Sequence, residues 1–360
     1  MDSFKNISVR GRTNPAKMVN KKTVGFSAGR GRKGNILRSL DLISHELKPI
    51  CRARNVLIKP NLVALENRCA NTDVEAIEAV IESIRKTAPK CSITVGETGA
   101  TAFYRGLSTD HVFEMYGYTE LPKKYPNVTL THFDSDEEFD SSPIRSIVGD
   151  THLRITRRAT GFDYKISLSI PKTHNFAGAT FGIKNMAGLV YRRDMAMIHG
   201  MKGAVEVDAP KTILDRLPPG TISTARKLLP NGVMNLLFPR IPGYRKSVKM
   251  IHHNIVAFAE RLWPDLVVLD GYECMEGDGP CNGTSVPMNL ALASTDPLKA
   301  DSLAARLIGF SPDEIGYLYY LHQKGFGDWS TENILGDDWR KHARRFRRHG
   351  TYYMQKLWRE

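Results

Sequence analysis

The feature that most constrains this chain is an alternation of short strand-like runs, "NVLIKPNLV" the most continuously apolar, with longer stretches of helical period. "KTVGFSA" precedes "NILRSLDLISHEL", whose apolar residues fall at Ile36, Leu37, Leu40, Leu42, Ile43 and Leu47. "NVLIKPNLV" precedes "TDVEAIEAVIESIRKTA", with Val74, Ile77, Val80, Ile81 and Ile84 on one face, and "SITVGE" follows. A run that is apolar at every position buries both faces of a strand, as happens when helices cover both sides of a parallel sheet. The rhythm β-α-β-α-β predicts a doubly wound α/β lobe, with Thr72 and Asp73 as capping candidates for its second helix.

The pattern lapses between about 120 and 160, where "FDSDEEFDSSP" reads as a turn-rich, acidic insertion or lobe connection. It resumes at "YKISLSIPKTH" and runs through a glycine-broken helix, "IKNMAGLVYRRDMAMIHG". The helix "HHNIVAFAERLW", the strands "DLVVLDG" and "MNLALAST" and the helix "PLKADSLAARLIGF" follow. The expected fold is α/β, with two doubly wound lobes and a cleft between them, which a chain of 360 residues is long enough to build. Residues 21–150 form the first lobe and 151–330 the second, which carries a proline-rich insertion at about 204–247, a candidate lid. Residues 1–20 form a basic flexible arm and 331–360 a basic C-terminal helical tail.

Lys and Arg number 51 against 38 acids, a net charge of +13 gathered towards the ends of the chain. Such a balance attracts polyanions, although no helix-turn-helix or RNA-recognition signature accompanies it. No apolar run reaches the roughly 18 residues of a membrane span and the start of the chain has no apolar signal core, so a cytoplasmic location is expected. The five cysteines, Cys51, Cys69, Cys91, Cys274 and Cys281, are widely spread without CxxC spacing. They are expected as reduced thiols, with no disulfide framework, zinc site or iron-sulfur motif.

In a doubly wound sheet, ligands sit at the carboxyl ends of strands. "GRGRKG", Gly29–Gly34, satisfies G-x-G-x-x-G between a strand and a helix. The next strand ends in Lys59, Pro60 and Asn61 and not in the acid that a dinucleotide ribose requires, so a basic turn without a ligand is the preferred reading. Lys59 and Asn61 are candidates to bind an anionic substrate group. Glu97, at the end of "SITVGE", is either a catalytic base or the partner of Lys59. "SIPKTHNFAGATFGIKNMAG" adds Lys172 and Asn185 as substrate ligands and His174 and Lys184 as catalytic groups, with His199 beyond. Gly178, Gly182 and Gly188 are expected to clear room for a ligand. Histidine serves as acid, base or metal ligand near neutral pH, and a desolvated lysine becomes a nucleophile or an anchor. In "LDGYECMEGDGPCNG", Glu276 is a candidate metal ligand with His199, and Gly277 and Gly279, with Lys184, are candidates for cofactor contact.

Taken in order, "VLIKPNLV", "ITVGETGA", "SIPKTH", "FGIKNMAGL", "MIHG", "PDLVVLDGYECMEGDGPCNG" and "ALASTDPLKADSLAARLIG" resemble the family catalogued as domain of unknown function 362, over about residues 50–327. The resemblance implies an α/β enzyme-like scaffold, without the iron-sulfur module of many relatives. The order His174, Lys184, His199 is also similar to the lactate racemase family, which holds a nickel-pincer nucleotide on a lysine. That likeness implies Lys184 as anchor, His199 as nickel ligand and His174 as the proton-transfer group. The first-lobe histidine of that family has no match here, where Glu97, Tyr104 and Arg105 stand instead.

Two functional readings are left open. One is an enzyme that moves a proton or hydride on a small anionic or hydroxylated substrate, isomerase- or racemase-like or an oxidoreductase, with a metal, another cofactor or a redox partner. The other is a protein that binds nucleic acid or another polyanion through its basic termini.

Overall fold

The computed structural model describes residues 22–99, 106–147, 149–201 and 242–360. The basic arm, Tyr104, Arg105 and most of the expected insertion lie outside the described residues.

The opening alternation forms as its periodicity predicts: β1 (Val24–Ala28), α1 (Gly31–Leu42), β2 (Asn55–Lys59), α2 (Val74–Thr87) and β3 (Ser92–Glu97). Of the two capping candidates, Asp73 caps α2, its carboxylate accepting from Glu75 N at 2.9 Å. Thr72 is turned inward, its hydroxyl accepting from Asn61 N and donating to Leu168 O. A short helix, α3 (Thr109–Met115), and β4 (Val128–His132) follow. The stretch expected as a connection instead holds a hairpin, β5 (Phe139–Ser146) with β6 (Gly149–Thr156).

Then come β7 (Tyr164–Ser169), β8 (Lys172–His174), β9 (Gly178–Thr180), the single helical turn α4 (Gly182–Asn185) and the long α5 (Pro242–Leu262). The last elements are β10 (Leu266–Glu276), β11 (Thr284–Ser294), α6 (Pro297–Leu307), α7 (Gly316–Gln323) and β12 (Ile334–Gly336).

Strands from both halves of the sequence lie in one sheet of order β12-β1-β11-β10-β7-β2-β3-β4, with β8 and β9 branching from β10. β2 joins the halves, pairing in parallel with β3 on one side and with β7 on the other. Winding proceeds from β2 through β3 to β4 in one direction, and from β7 to β10 in the other. The reversal between β2 and β7 is a topological switch point, the place where a doubly wound sheet opens a crevice at its carboxyl ends.

The α/β class is thus borne out, and both faces of the sheet are covered. Val56 and Ile58 pack with Ile36, Leu40, Ile77 and Val80 of α1 and α2. The intervening Leu57 joins the other layer, with Ile251 and Ile255 of α5 and Leu303 of α6. The C-terminal segment belongs to this second layer, since Phe346, Met354 and Trp358 are buried in it. Its backbone is pinned to the end of α6 by Arg344 N to Leu307 O at 2.8 Å and Phe346 N to Ile308 O at 3.2 Å. Among the described residues, no helix is long and apolar enough to cross a membrane.

Candidate functional site

β2 ends because Pro60 has no N–H to continue the ladder. Lys59 and Asn61 therefore leave the sheet beside the ends of β3 and β7. Lys59, fully buried, pairs with Glu97 and donates to Pro60 O at 2.7 Å and Asn185 Oδ1 at 3.3 Å. Glu97 also accepts from Leu62 N and Thr98 N. Burial pushes the amine of this pair down and its carboxyl up, each towards its neutral form. Lys59 and Glu97 are thus partners of each other, one of the two roles expected for Glu97, beside that of a base.

The network continues through amides. Asn185 accepts from Asn61 Nδ2 at 2.7 Å and donates to Lys59 O and Ser167 Oγ. Asn61 Oδ1 accepts from Lys172, which donates as well to Ala70 O at 2.7 Å. Burial lowers Lys172 to about 7.

Lys184 and Asn185 are delivered by α4, whose first N–H groups, Gly182 N and Ile183 N, are capped by Asp301 at 2.8 and 2.9 Å. Asp301 sits in α6, so the cap is non-local, and burial raises it to about 8. Lys184 is 9% exposed, and the described residues give it no hydrogen-bond acceptor and no carboxylate, while Cys281 bears on it electrostatically. Desolvation lowers it to about 8, and its charge in turn depresses His174 and His199.

His174 accepts at Nδ1 from Phe176 N (3.0 Å) and Ala177 N (3.1 Å), and its ring stacks on His199 with centroids 5.7 Å apart. With Nδ1 occupied as an acceptor, the neutral ring carries its proton on Nε2. Burial holds His174 well below the ordinary histidine range.

Gly182 and Gly188 are placed for packing, whereas Gly178 has a left-handed φ of 78° and nothing nearer than 3.8 Å to its Cβ position. A Cβ on Gly182 would come within 2.4 Å of Val267, and one on Gly188 within 2.0 Å of Glu97. Gly277 has a left-handed φ of 77°, and a Cβ on Gly279 would meet Thr173 O at 2.0 Å. Glu276 is engaged, accepting from Arg347 N at 2.9 Å.

No group of three or more His, Cys, Asp or Glu able to hold a metal is found among the described residues. His174 and His199 alone do not fit a metal cage, and one nitrogen of His174 is already spent. "GRGRKG" behaves as a basic turn: Arg30 pairs with Asp337, Arg32 with Asp270 and Asp73, and Lys33 with Glu82. A cavity of about 460 Å³ at the opposite, amino ends of β2 and β7 contains none of the predicted site residues.

The sequence model of the family described as Domain of unknown function (DUF362) matches residues 56–306, more than half of the chain. The chain belongs to the DUF362 family. A thylakoid-associated protein of Synechocystis sp. is 23% identical over 279 residues, 77% of this chain and 70% of that one. The lactate racemase apoprotein from Thermoanaerobacterium thermosaccharolyticum is similar with a TM-score of 0.46 and 14% identity, over 79% of this chain. The DUF362 chain spans 56% of that racemase chain, and neither a reaction nor a cofactor is carried over from a likeness at this level.

The matched region takes in every residue of the network, Asp301 included. His349 and Thr351 fall outside it, yet the charge of His349 also bears on His174. Sequence reasoning passed over His349 within a run of arginines, where nothing in the pattern marked it.

Proposed function

We propose that this DUF362 chain is an enzyme that moves a proton on a small anionic or hydroxylated substrate, as isomerases and racemases do, at the carboxyl ends of β2, β7 and β8. Lys184 carries the reading: an amine only 9% exposed, with no acceptor or carboxylate among the described residues, next to Asn185, which bridges β2 and β7. Burying an unpaired polar group costs stability, so a fold with no use for this amine would gain by an apolar residue there. An amine lowered to about 8 exchanges protons near neutral pH.

The remaining roles follow from hydrogen-bond capacity. In its protonated form Lys172 gives two of its three N–H groups to Asn61 and Ala70 and keeps one for an anionic group of the substrate. His174 offers Nε2–H to a substrate oxygen, polarising the bond next to it. Lys59, Glu97 and Asn185 hold Asn61 and Lys172 in place, and Lys184 carries the proton.

The test is solvent exchange. The purified protein is incubated in D₂O with a panel of small 2-hydroxy, 2-oxo and dicarboxylic acids, and deuterium uptake is read by mass spectrometry. Wild type is expected to label a member of the panel, and Lys184→Met to label it at least about 100-fold more slowly. Exchange undiminished in Lys184→Met would remove the lysine from the mechanism.

A further inference from the structure

We infer that the C-terminal segment, residues 344–358, is a positioning strap for His174, acting through Thr351 and Tyr244 on the turn Asn175–Ala177. That turn supplies both N–H groups that fix His174 Nδ1. Its first carbonyl, Asn175 O, accepts from Tyr244 OH and lies 3.3 Å from Thr351 Oγ1. The two hydroxyls are 2.7 Å apart. Thr351 is a hub: its hydroxyl accepts from Gln355 Nε2 at 3.2 Å and lies 2.8 Å from His349 Nδ1. Phe176, inside the turn, is wedged between Tyr244 (ring centroids 4.8 Å) and His199 (5.2 Å).

The strap is held at both ends. Phe346 and Trp358 are buried in the core, and the backbone of Arg347 bridges to Glu276 and Gly277. A three-residue turn with two N–H groups and its first carbonyl engaged has little freedom to re-aim, and so neither does the ring it holds. Without the hydroxyls on Asn175 O, the turn is free to rotate its N–H groups off Nδ1. The ring then samples both tautomers and accepts a second proton more readily. Lys184, His199, Lys172 and His349 are the charged or titratable groups that bear on His174; Thr351→Val also takes a hydroxyl away from His349 Nδ1, so Tyr244→Phe, which leaves Thr351 and His349 unchanged, is read beside it.

The inference rests on the reading that His174 works in this site, but its test reads the ring without turnover, so the two fail separately. The full chain is labelled with nitrogen-15 histidine, and His174 is assigned by loss of its signals in His174→Gln. In wild type, His174 is expected as a single neutral tautomer with the proton on Nε2, untitrated where free histidine titrates. In Thr351→Val and in Tyr244→Phe, the nitrogen shifts are expected to move towards a tautomer mixture and the titration towards the ordinary histidine range. Thr351→Ser, which keeps the hydroxyl, should restore the wild-type signature. If Thr351→Val does not fold, Tyr244→Phe decides alone, because it removes one hydroxyl and leaves the ring packed on Phe176. Wild-type tautomer and titration in the folded variants would overturn the inference, whatever the activity of the enzyme.

Discussion

Lys184 and Lys59 are both buried amines on this chain, and they differ in what surrounds them. Lys59 has Glu97, and removing either partner would strand the other charge in the interior. Lys184 has no such partner, which makes it a cost to folding with a definite pH dependence. Its folded pKa of about 8 lies below the roughly 10.4 of an unfolded lysine, so between those values the unfolded chain binds more protons. Stability therefore rises with pH through that window, and the full penalty is felt below about pH 8. Lys184→Met is expected to be more stable than wild type at pH 7, by up to about 3 kcal/mol, with the gain fading as pH approaches about 10. Urea unfolding of both proteins at the two pH values checks this; a variant less stable at pH 7 would show that Lys184 is a structural residue.

At the scale of elements, what the sequence discloses depends on how much of an element's environment is local. β2 is legible because it is a continuous apolar run, β3 and β7 because apolar residues recur along them between turn signals, and α2 because Asp73 precedes a clean helical period. The β5–β6 hairpin is not, because two of the inward positions of β5 are Ser142 and Ser146, which break the apolar alternation while remaining buried. Ser142 satisfies its hydroxyl on Ala257 O of α5, a partner 115 residues away. Neighbours in the sheet are hidden for a related reason: uniformly apolar strands carry no mark of which strand lies beside them. The partner choices of the site are hidden too, and Asp301 is the clearest case. In the sequence it lies inside the helical period of "PLKADSLAARLIGF", and in the fold it caps α4, 119 residues earlier. Asp301→Asn keeps one acceptor and sets an amide against the second N–H, so a buried donor is left unsatisfied at the start of α4. The expected loss is about 1–3 kcal/mol, with a changed pH profile for acetylation of Lys184 by a lysine-specific reagent followed by peptide mass mapping. A melting curve and a labelling profile equal to wild type would free α4 from this cap.

For the whole molecule, the question is where the folding unit ends, and the charge run at the C-terminus points the wrong way. Read as composition, "WRKHARRFRRHGTYYMQKLWRE" is a basic tail beyond the second half of the fold. In three dimensions its long side chains lie along aromatic surface. Arg348 covers the ring of Phe310 and Arg359 those of Trp358 and Tyr319, while Phe346, Met354 and Trp358 enter the core between them. Basic side chains can cover apolar surface with their stems and planar heads, so a run of arginine does not of itself mark a solvated appendage. A chain ended at Ala343 would lose all three core residues at once, and truncating such residues costs about 2–5 kcal/mol each. Their sum reaches the whole net stability of an ordinary domain, about 5–15 kcal/mol. The shortened chain is therefore expected to show no cooperative thermal transition by circular dichroism, whereas Phe346→Ala in the full chain should melt cooperatively at a lower temperature, destabilised by about 3–5 kcal/mol. A shortened chain that melts like wild type would return residues 344–360 to the status of a tail. It would also remove the anchor from which Thr351 reaches Asn175, so the position of His174 would have to be set from within the family-matched region alone.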